Sequence, residues 1–183
     1  MAKSKTKIGS SARASGRSLT SSASAKAFGS ASSSYLRALP RDFREFLHSL
    51  TAQRVKFLLI GGHAVALHGA PRATFDIDIF VGRAPRNIER LGRALVDFGF
   101  PQNSEAVTYL ASGERFIMLG AKPLRIDILN HISGVSFEEA WSSRRSVKDG
   151  EVVLSIIGLR ALIKNKRASA RPKDLADVAL LTR

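Results

Sequence analysis

The segment Phe75-Asp76-Ile77-Asp78-Ile79-Phe80-Val81 constrains this chain more than any other. Strand side chains alternate between two faces. Asp76 and Asp78 therefore share one face, while Phe75, Ile77, Ile79 and Val81 take the other. Two carboxylates one pleat apart repel each other, and a bound divalent cation is the simplest relief. Ahead of this strand, the apolar run Phe57-Leu58-Leu59-Ile60 meets Gly61-Gly62. His63 to His68 then has the pattern of a short helix closed by Gly69, with a turn at Ala70-Pro71-Arg72. Strand, glycine pair, helix, turn and carboxylate strand make one unit, and the remaining chain has to complete it.

A helix is expected where Asp42 caps the stripe Phe43, Phe46, Leu47 and Leu50. Val55 to Ile60 is a strand candidate. Pro85 to Phe98 carries Ile88, Leu91, Leu95 and Phe98 on one helical face and ends at Gly99. Val107 to Leu110 and Arg115 to Leu119 have strand character, with Gly113 at the turn between them. Leu124 to Leu129 alternates again, placing Leu124, Ile126 and Ile128 on one face and Arg125, Asp127 and Leu129 on the other. One helical turn is expected at Phe137 to Trp141. A hairpin is expected from Ser146 to Lys148 and Val152 to Leu154 around Asp149-Gly150. Two helices, Ile157 to Arg167 and Lys173 to Leu181, close the chain.

Composition narrows the chemistry. With no cysteine, disulfides and thiolate-bound zinc are excluded, and an acidic site then suits hard cations such as Mg²⁺ or Mn²⁺. No apolar run approaches the roughly 20 residues of a membrane span, so a soluble, cytoplasmic protein is expected. The formal charge is +14. Seven of the 29 bases lie in the first 40 residues, which hold no acid, and the body keeps 22 bases against 15 acids. A basic body attracts polyanions, nucleic acid and nucleotide alike. Residues 1–34 are rich in Ser, Ala, Gly, Lys and Arg and hold too little apolar surface to offset ordering entropy. They are expected to form a disordered basic tail. A transit peptide, or translation starting too far upstream, would give the same composition. Residues 35–183 are expected to form one domain.

Phosphoryl transfer needs a phosphate cradle, carboxylates for metal and a group that positions the attacking hydroxyl. Gly61 and Gly62, between a strand and a helix N-terminus, let backbone N–H groups approach phosphate. Asp76 and Asp78 are the metal ligands expected. Asp127, on another alternating strand, is a third carboxylate able to ligate metal or accept a proton. Arg72 either grips a phosphate or pairs with an Asp, and Thr74 is either a nucleotide contact or a turn or cap residue. His63 and His68 have the place of helix-face hydrogen-bonders, not metal ligands.

Gly61-Gly62, the 13-residue spacer 63–75, Asp76-Ile77-Asp78 and the later Asp127 resemble the signature of the DNA polymerase β-type nucleotidyltransferase superfamily. Gly61-Gly62-His63-Ala64, Arg72-Ala73-Thr74-Phe75-Asp76-Ile77-Asp78 and the ending Lys166-Arg167-Ala168-Ser169-Ala170-Arg171-Pro172-Lys173-Asp174-Leu175-Ala176-Asp177 resemble its AbiEii-type (abortive-infection toxin) branch. The resemblance covers roughly residues 40–183. It implies an α/β (α+β) nucleotidyltransferase core, a small mixed sheet backed by helices, with a helical C-terminal segment. It also implies an enzyme that uses Mg²⁺ (or Mn²⁺) and an NTP, an RNA or tRNA acceptor, a toxin-like role and a cognate antitoxin as a partner. On the same basis Lys166 is the cation expected at the triphosphate, supported by Lys173 and Asp174. Asp177 is expected to pair with Lys173 or Arg171. Two positions depart from the pattern: Gly62 stands where the wider superfamily often has Ser, and Ala170 where the branch often has Gly. A transferase acting on a small molecule such as an antibiotic, or a non-catalytic module binding nucleic acid or a partner, are the alternatives from the same sequence.

Overall fold

The structure is a computed structural model that describes residues 37–183, apart from residues 71, 103, 104, 122, 150 and 151. The tail expected at 1–34 and Gly150 of the expected hairpin turn lie outside the described residues. Six strands form one mixed sheet, β1 (Phe57–Leu59), β2 (Asp76–Val81), β3 (Phe116–Ala121), β4 (Leu124–Leu129), β5 (Arg145–Asp149) and β6 (Val152–Ile156), in the order β3-β4-β2-β1-β6-β5. β2 runs parallel to β4 and antiparallel to β1, and β1 runs parallel to β6. The architecture is the small mixed sheet backed by helices, with helices at the C-terminus, that the sequence led us to expect.

Helix α1 (Arg41–Ala52) buries Phe43, Phe46, Leu47 and Leu50, the stripe read from its spacing. Its N-cap is Pro40 and not Asp42, which sits in the first turn where its charge suits the helix dipole. Helix α2 (Gly61–Leu67) begins at the glycine pair and ends before Gly69, whose φ of +94° suits the C′ position. Helix α3 (Pro85–Asp97) carries a proline in its first turn and buries Ile88, Leu91, Ala94 and Leu95. Phe46 of α1 meets Phe98 just beyond α3 at 5.0 Å between ring centroids.

One element differs in kind. Residues 107–110, expected as a strand, belong to helix α4 (Glu105–Ala111). Four residues of mixed character cannot define a period on their own. Here tertiary packing decides: a Cβ placed on Gly92 of α3 would come within 3.3 Å of the Val107 side chain, so the glycine lets α4 lie close. Two buried asparagines then hold the sheet's connections. Asn87 accepts from Lys56 N–H and donates to the Lys56 and Gly82 carbonyls. Asn130 accepts from Arg115 N–H and donates to Leu110 and Gly113 carbonyls.

Helix α5 (Phe137–Ser142) is capped by Ser136, which accepts from Glu139 N–H, and packs Phe137 edge-on against Phe80 of β2. The chain ends in α6 (Leu159–Ser169) and α7 (Pro172–Leu181), close to the expected limits. Between them Ala170 sits at φ 53°, in the left-handed region. The position where the resembled branch often has glycine is thus one whose backbone favours glycine. Among the described residues no helix is long and apolar enough to cross a membrane.

Candidate active site

Every residue assigned to the site from sequence lines one cavity of about 780 Å³, where β1 ends and β2 begins. That volume is in the range of small-molecule and cofactor pockets. Its floor is set by the parallel pairing of β2 and β4. Asp76 is in register with Arg125, and Asp78 with Asp127. Register partners on neighbouring strands sit about 5 Å apart, so three carboxylates meet on one face of two adjacent strands. The opposite face of the same strands, Ile77, Ile79, Ile126 and Ile128, is buried in the core.

The glycine pair closes over these carboxylates. Gly61 has a φ of +63°, and a Cβ there would fall 1.9 Å from Asp78 Oδ2. A Cβ on Gly62 would fall 2.6 Å from Thr74 Oγ1 and 3.1 Å from Arg72 Nη2. The glycines therefore have a local reason to be glycines: the Asp78 carboxylate and the Arg72-Thr74 turn occupy the space of their side chains. Thr74 Oγ1 also donates to the Asp76 carbonyl at 3.3 Å, which makes it a turn residue at the start of β2.

Burial, with the like charges of Asp127 and Asp76 added, pushes the Asp78 carboxyl up to about 6; Lys173 and Lys166 pull it back only in part. Asp76 and Asp127 are compensated differently. Arg125 grips Asp127 with two bonds, Nε to Oδ1 at 2.7 Å and Nη2 to Oδ2 at 2.8 Å, and Nη2 also reaches Asp76 Oδ2 at 2.9 Å. The bonds to Asp127 raise the guanidinium's own pKa further.

On the other wall, α6 and α7 supply a buried ion network. Lys166, only 4% exposed, places Nζ 2.8 Å from Asp174 Oδ1 and 2.7 Å from Asp177 Oδ2. Asp174 also accepts from Ser169 Oγ and from Arg171. Burial alone would raise the Asp174 carboxyl, but the bonds from Lys166, Ser169 and Arg171 outweigh it and hold it at about 2. Asp177 pairs with Arg72: Nε lies 2.8 Å from Oδ1, off the line a hydrogen bond needs, and Nη2 donates to Oδ2 at 3.3 Å. Lys166 thus lines the cavity with its charge already engaged. Asp177 meets Lys166 and Arg72, where Lys173 or Arg171 was expected. Lys173 is exposed at the cavity and near enough to Asp78 to lower its pKa.

His63 is buried, edge-on to Phe43 at 6.1 Å, and burial, with Arg72 nearby, lowers its pKa to about 4. His68 Nε2 sits 2.8 Å from the Ile157 carbonyl. Both take structural places on α2, and neither adds a metal ligand to the carboxylates. The site residue that sequence reasoning missed is Arg125. Its signal was present in the alternation of Leu124–Leu129, which puts Arg125 on the Asp127 face.

Among the described residues no three Asp, Glu, His or Cys side chains are grouped closely enough to hold a metal ion. Asp76, Asp78 and Asp127 carry the hard oxygens a divalent cation takes, but the cation standing between Asp76 and Asp127 is the Arg125 guanidinium. No protein-family model matches the chain, and no curated protein matches it.

Proposed function

We propose that the protein is a metal-dependent nucleotidyltransferase that moves a nucleotidyl group from an NTP to a hydroxyl of an RNA acceptor. One observation carries this reading: the register of β2 and β4 sets Asp78 beside Asp127, with Asp76 on the same face, directly under Gly61. Like charges held together at the expense of a raised Asp78 pKa are what a cation-binding site looks like before its cation. Asp76, Asp78 and Asp127 would hold Mg²⁺ or Mn²⁺. When bound, such an ion supplies charge neutralisation at phosphate and acidifies a coordinated hydroxyl.

The chain's own residues do the rest. In the proposed transfer Asp127 accepts the proton of the acceptor hydroxyl as that hydroxyl's oxygen bonds to the α-phosphorus and pyrophosphate leaves. Gly61 and Gly62 let the backbone approach phosphate without a side-chain hydroxyl. Lys173 at the cavity neutralises charge on the leaving pyrophosphate. Lys166, held by Asp174 and Asp177, braces the wall that carries Lys173 and contributes positive field to the cavity. The basic body favours RNA, including tRNA, over a neutral small acceptor. The toxin-like role and a cognate antitoxin follow from the AbiEii-type resemblance.

The test is incubation of the protein with each labelled NTP, Mg²⁺ and total RNA, with a parallel protein-acceptor series. Label transfer to RNA that is lost in Asp76→Ala is the expected result. No transfer to any acceptor, or transfer unchanged in Asp76→Ala, overturns the reading. A second reading is favoured by the Arg125 contacts: a non-catalytic module in which the guanidinium permanently neutralises the carboxylates. It requires RNA binding without any Mn²⁺ or Mg-NTP binding in calorimetry.

A further inference from the structure

Among the described residues, five arginine and lysine side chains line the cavity from its strands, turn and closing helices: Arg72, Arg125, Lys166, Arg171 and Lys173. Arg72 is engaged by Asp177, Arg171 by Asp174, and Lys166 by both of those carboxylates. These acids lie outside the β2–β4 floor. Arg125 differs, because its partners are Asp76 and Asp127 themselves, and it uses both oxygens of Asp127. Its side chain is one quarter exposed, in contact with the cavity. Guanidinium cannot be deprotonated at ordinary pH, so no titration of Arg125 can free these oxygens. Each bonded oxygen keeps a second lone pair, but the guanidinium's positive charge opposes a second cation at the same carboxylates until it moves to another anion. The planar fork that fits a carboxylate fits a phosphate equally well.

We propose that Arg125 is a positioning residue that competes with the metal for Asp76 and Asp127, and that it transfers to the phosphates when a nucleotide enters. The proposal rests on the transferase reading above, since it takes the carboxylates as metal ligands. It deepens that reading by making metal and nucleotide mutually assisting. Metal alone has to displace the guanidinium against no alternative partner. Triphosphate provides that partner in the same cavity, and the released carboxylates then hold the metal. Linkage requires the effect to be reciprocal: metal that has displaced Arg125 leaves a guanidinium available to phosphate.

The test uses the full chain, with Mn²⁺ binding followed by electron paramagnetic resonance and tripolyphosphate, a base-independent probe, by calorimetry in Mn²⁺-saturating buffer. Arg125→Met is expected to bind Mn²⁺ alone about fivefold or more tightly than wild type, and tripolyphosphate about fivefold or more weakly. Arg125→Lys keeps the charge but loses the fork. It is expected to shift both affinities in the same directions and serves in place of Arg125→Met if that variant does not fold by circular dichroism. Equal or weaker Mn²⁺ binding in the folded variants, with binding lost in Asp76→Asn, overturns the competition and leaves the transferase reading standing. Absence of Mn²⁺ binding in wild type and variants alike overturns both.

Discussion

At the scale of single residues, the most exacting position is Gly61. Its φ of +63° disfavours any side chain, and the added Cβ would overlap the Asp78 carboxylate. Left-handed backbone at a non-glycine residue costs about 1–3 kcal/mol, and the overlap adds to it. Gly61→Ala is therefore expected to lower stability by about 2 kcal/mol or more in urea denaturation. The two contributions separate in a double-mutant cycle, because Asp78→Ala removes the overlapping carboxylate while leaving the backbone strain. The alanine at 61 should then cost about 1 kcal/mol less in the Asp78→Ala background. Equal costs in both backgrounds would show that Asp78 does not press on Gly61.

At the scale of elements, the junction of α6 and α7 sets two expectations. Lys166→Met leaves Asp174 and Asp177, 1% and 2% exposed, without their shared cation. Breaking such a buried pair costs about 3–5 kcal/mol. Lys164, two residues away on the same helix, faces solvent and pairs with Glu139 at 2.8 Å. Lys164→Met should change stability by less than about 1 kcal/mol. If thermal melting shows similar losses for both, Lys166 does not anchor this junction. Ala170→Gly relieves the left-handed backbone at φ 53°, and should stabilise the protein by about 0.5–1 kcal/mol after the added entropy of the unfolded chain is counted. The same elements show how far the sequence could be read. Asp76, Asp78 and Asp127 were legible because alternation with period two is local, as was the α1 stripe with spacings of three and four. Helix spacing puts Lys164 and Lys166 on different sides of α6, and nothing in the sequence says which of them turns inward. Arg125 lay in plain alternation with Asp127, yet its other partner, Asp76, is 49 residues earlier in the chain. Nothing local sets the parallel register that joins them. Residues 107–110 failed for a related reason, since their helix is decided by contact with α3.

At the scale of the whole molecule, two buried groups near the site pull the pH dependence of folding in opposite directions. Asp78 has a folded pKa raised from 3.8 to about 6. Its neutral form is favoured in the folded state, so it favours folding below about 4 and this contribution is lost as pH rises through 6. His63 has a folded pKa lowered from 6.5 to about 4. It favours folding above 6.5, and that contribution is lost as pH falls through 4. At 1.36 kcal/mol per pH unit, each swing is about 3 kcal/mol, over nearly the same interval and of opposite sign. In metal-free buffer these two groups should therefore nearly cancel between pH 6.5 and 4. Asp78→Asn removes one of the pair. It should stabilise the metal-free protein by about 3 kcal/mol at pH 7, with the gain shrinking to nothing near pH 4 as wild-type Asp78 takes up its proton. The variant's own stability should then fall steeply with acid, because the His63 contribution is no longer masked. Urea denaturation across this range in the presence of a chelator measures both effects. A gain independent of pH would mean that Asp78 is not held ionised against its surroundings at neutral pH. The charge repulsion on which the proposed cation site rests would then be absent.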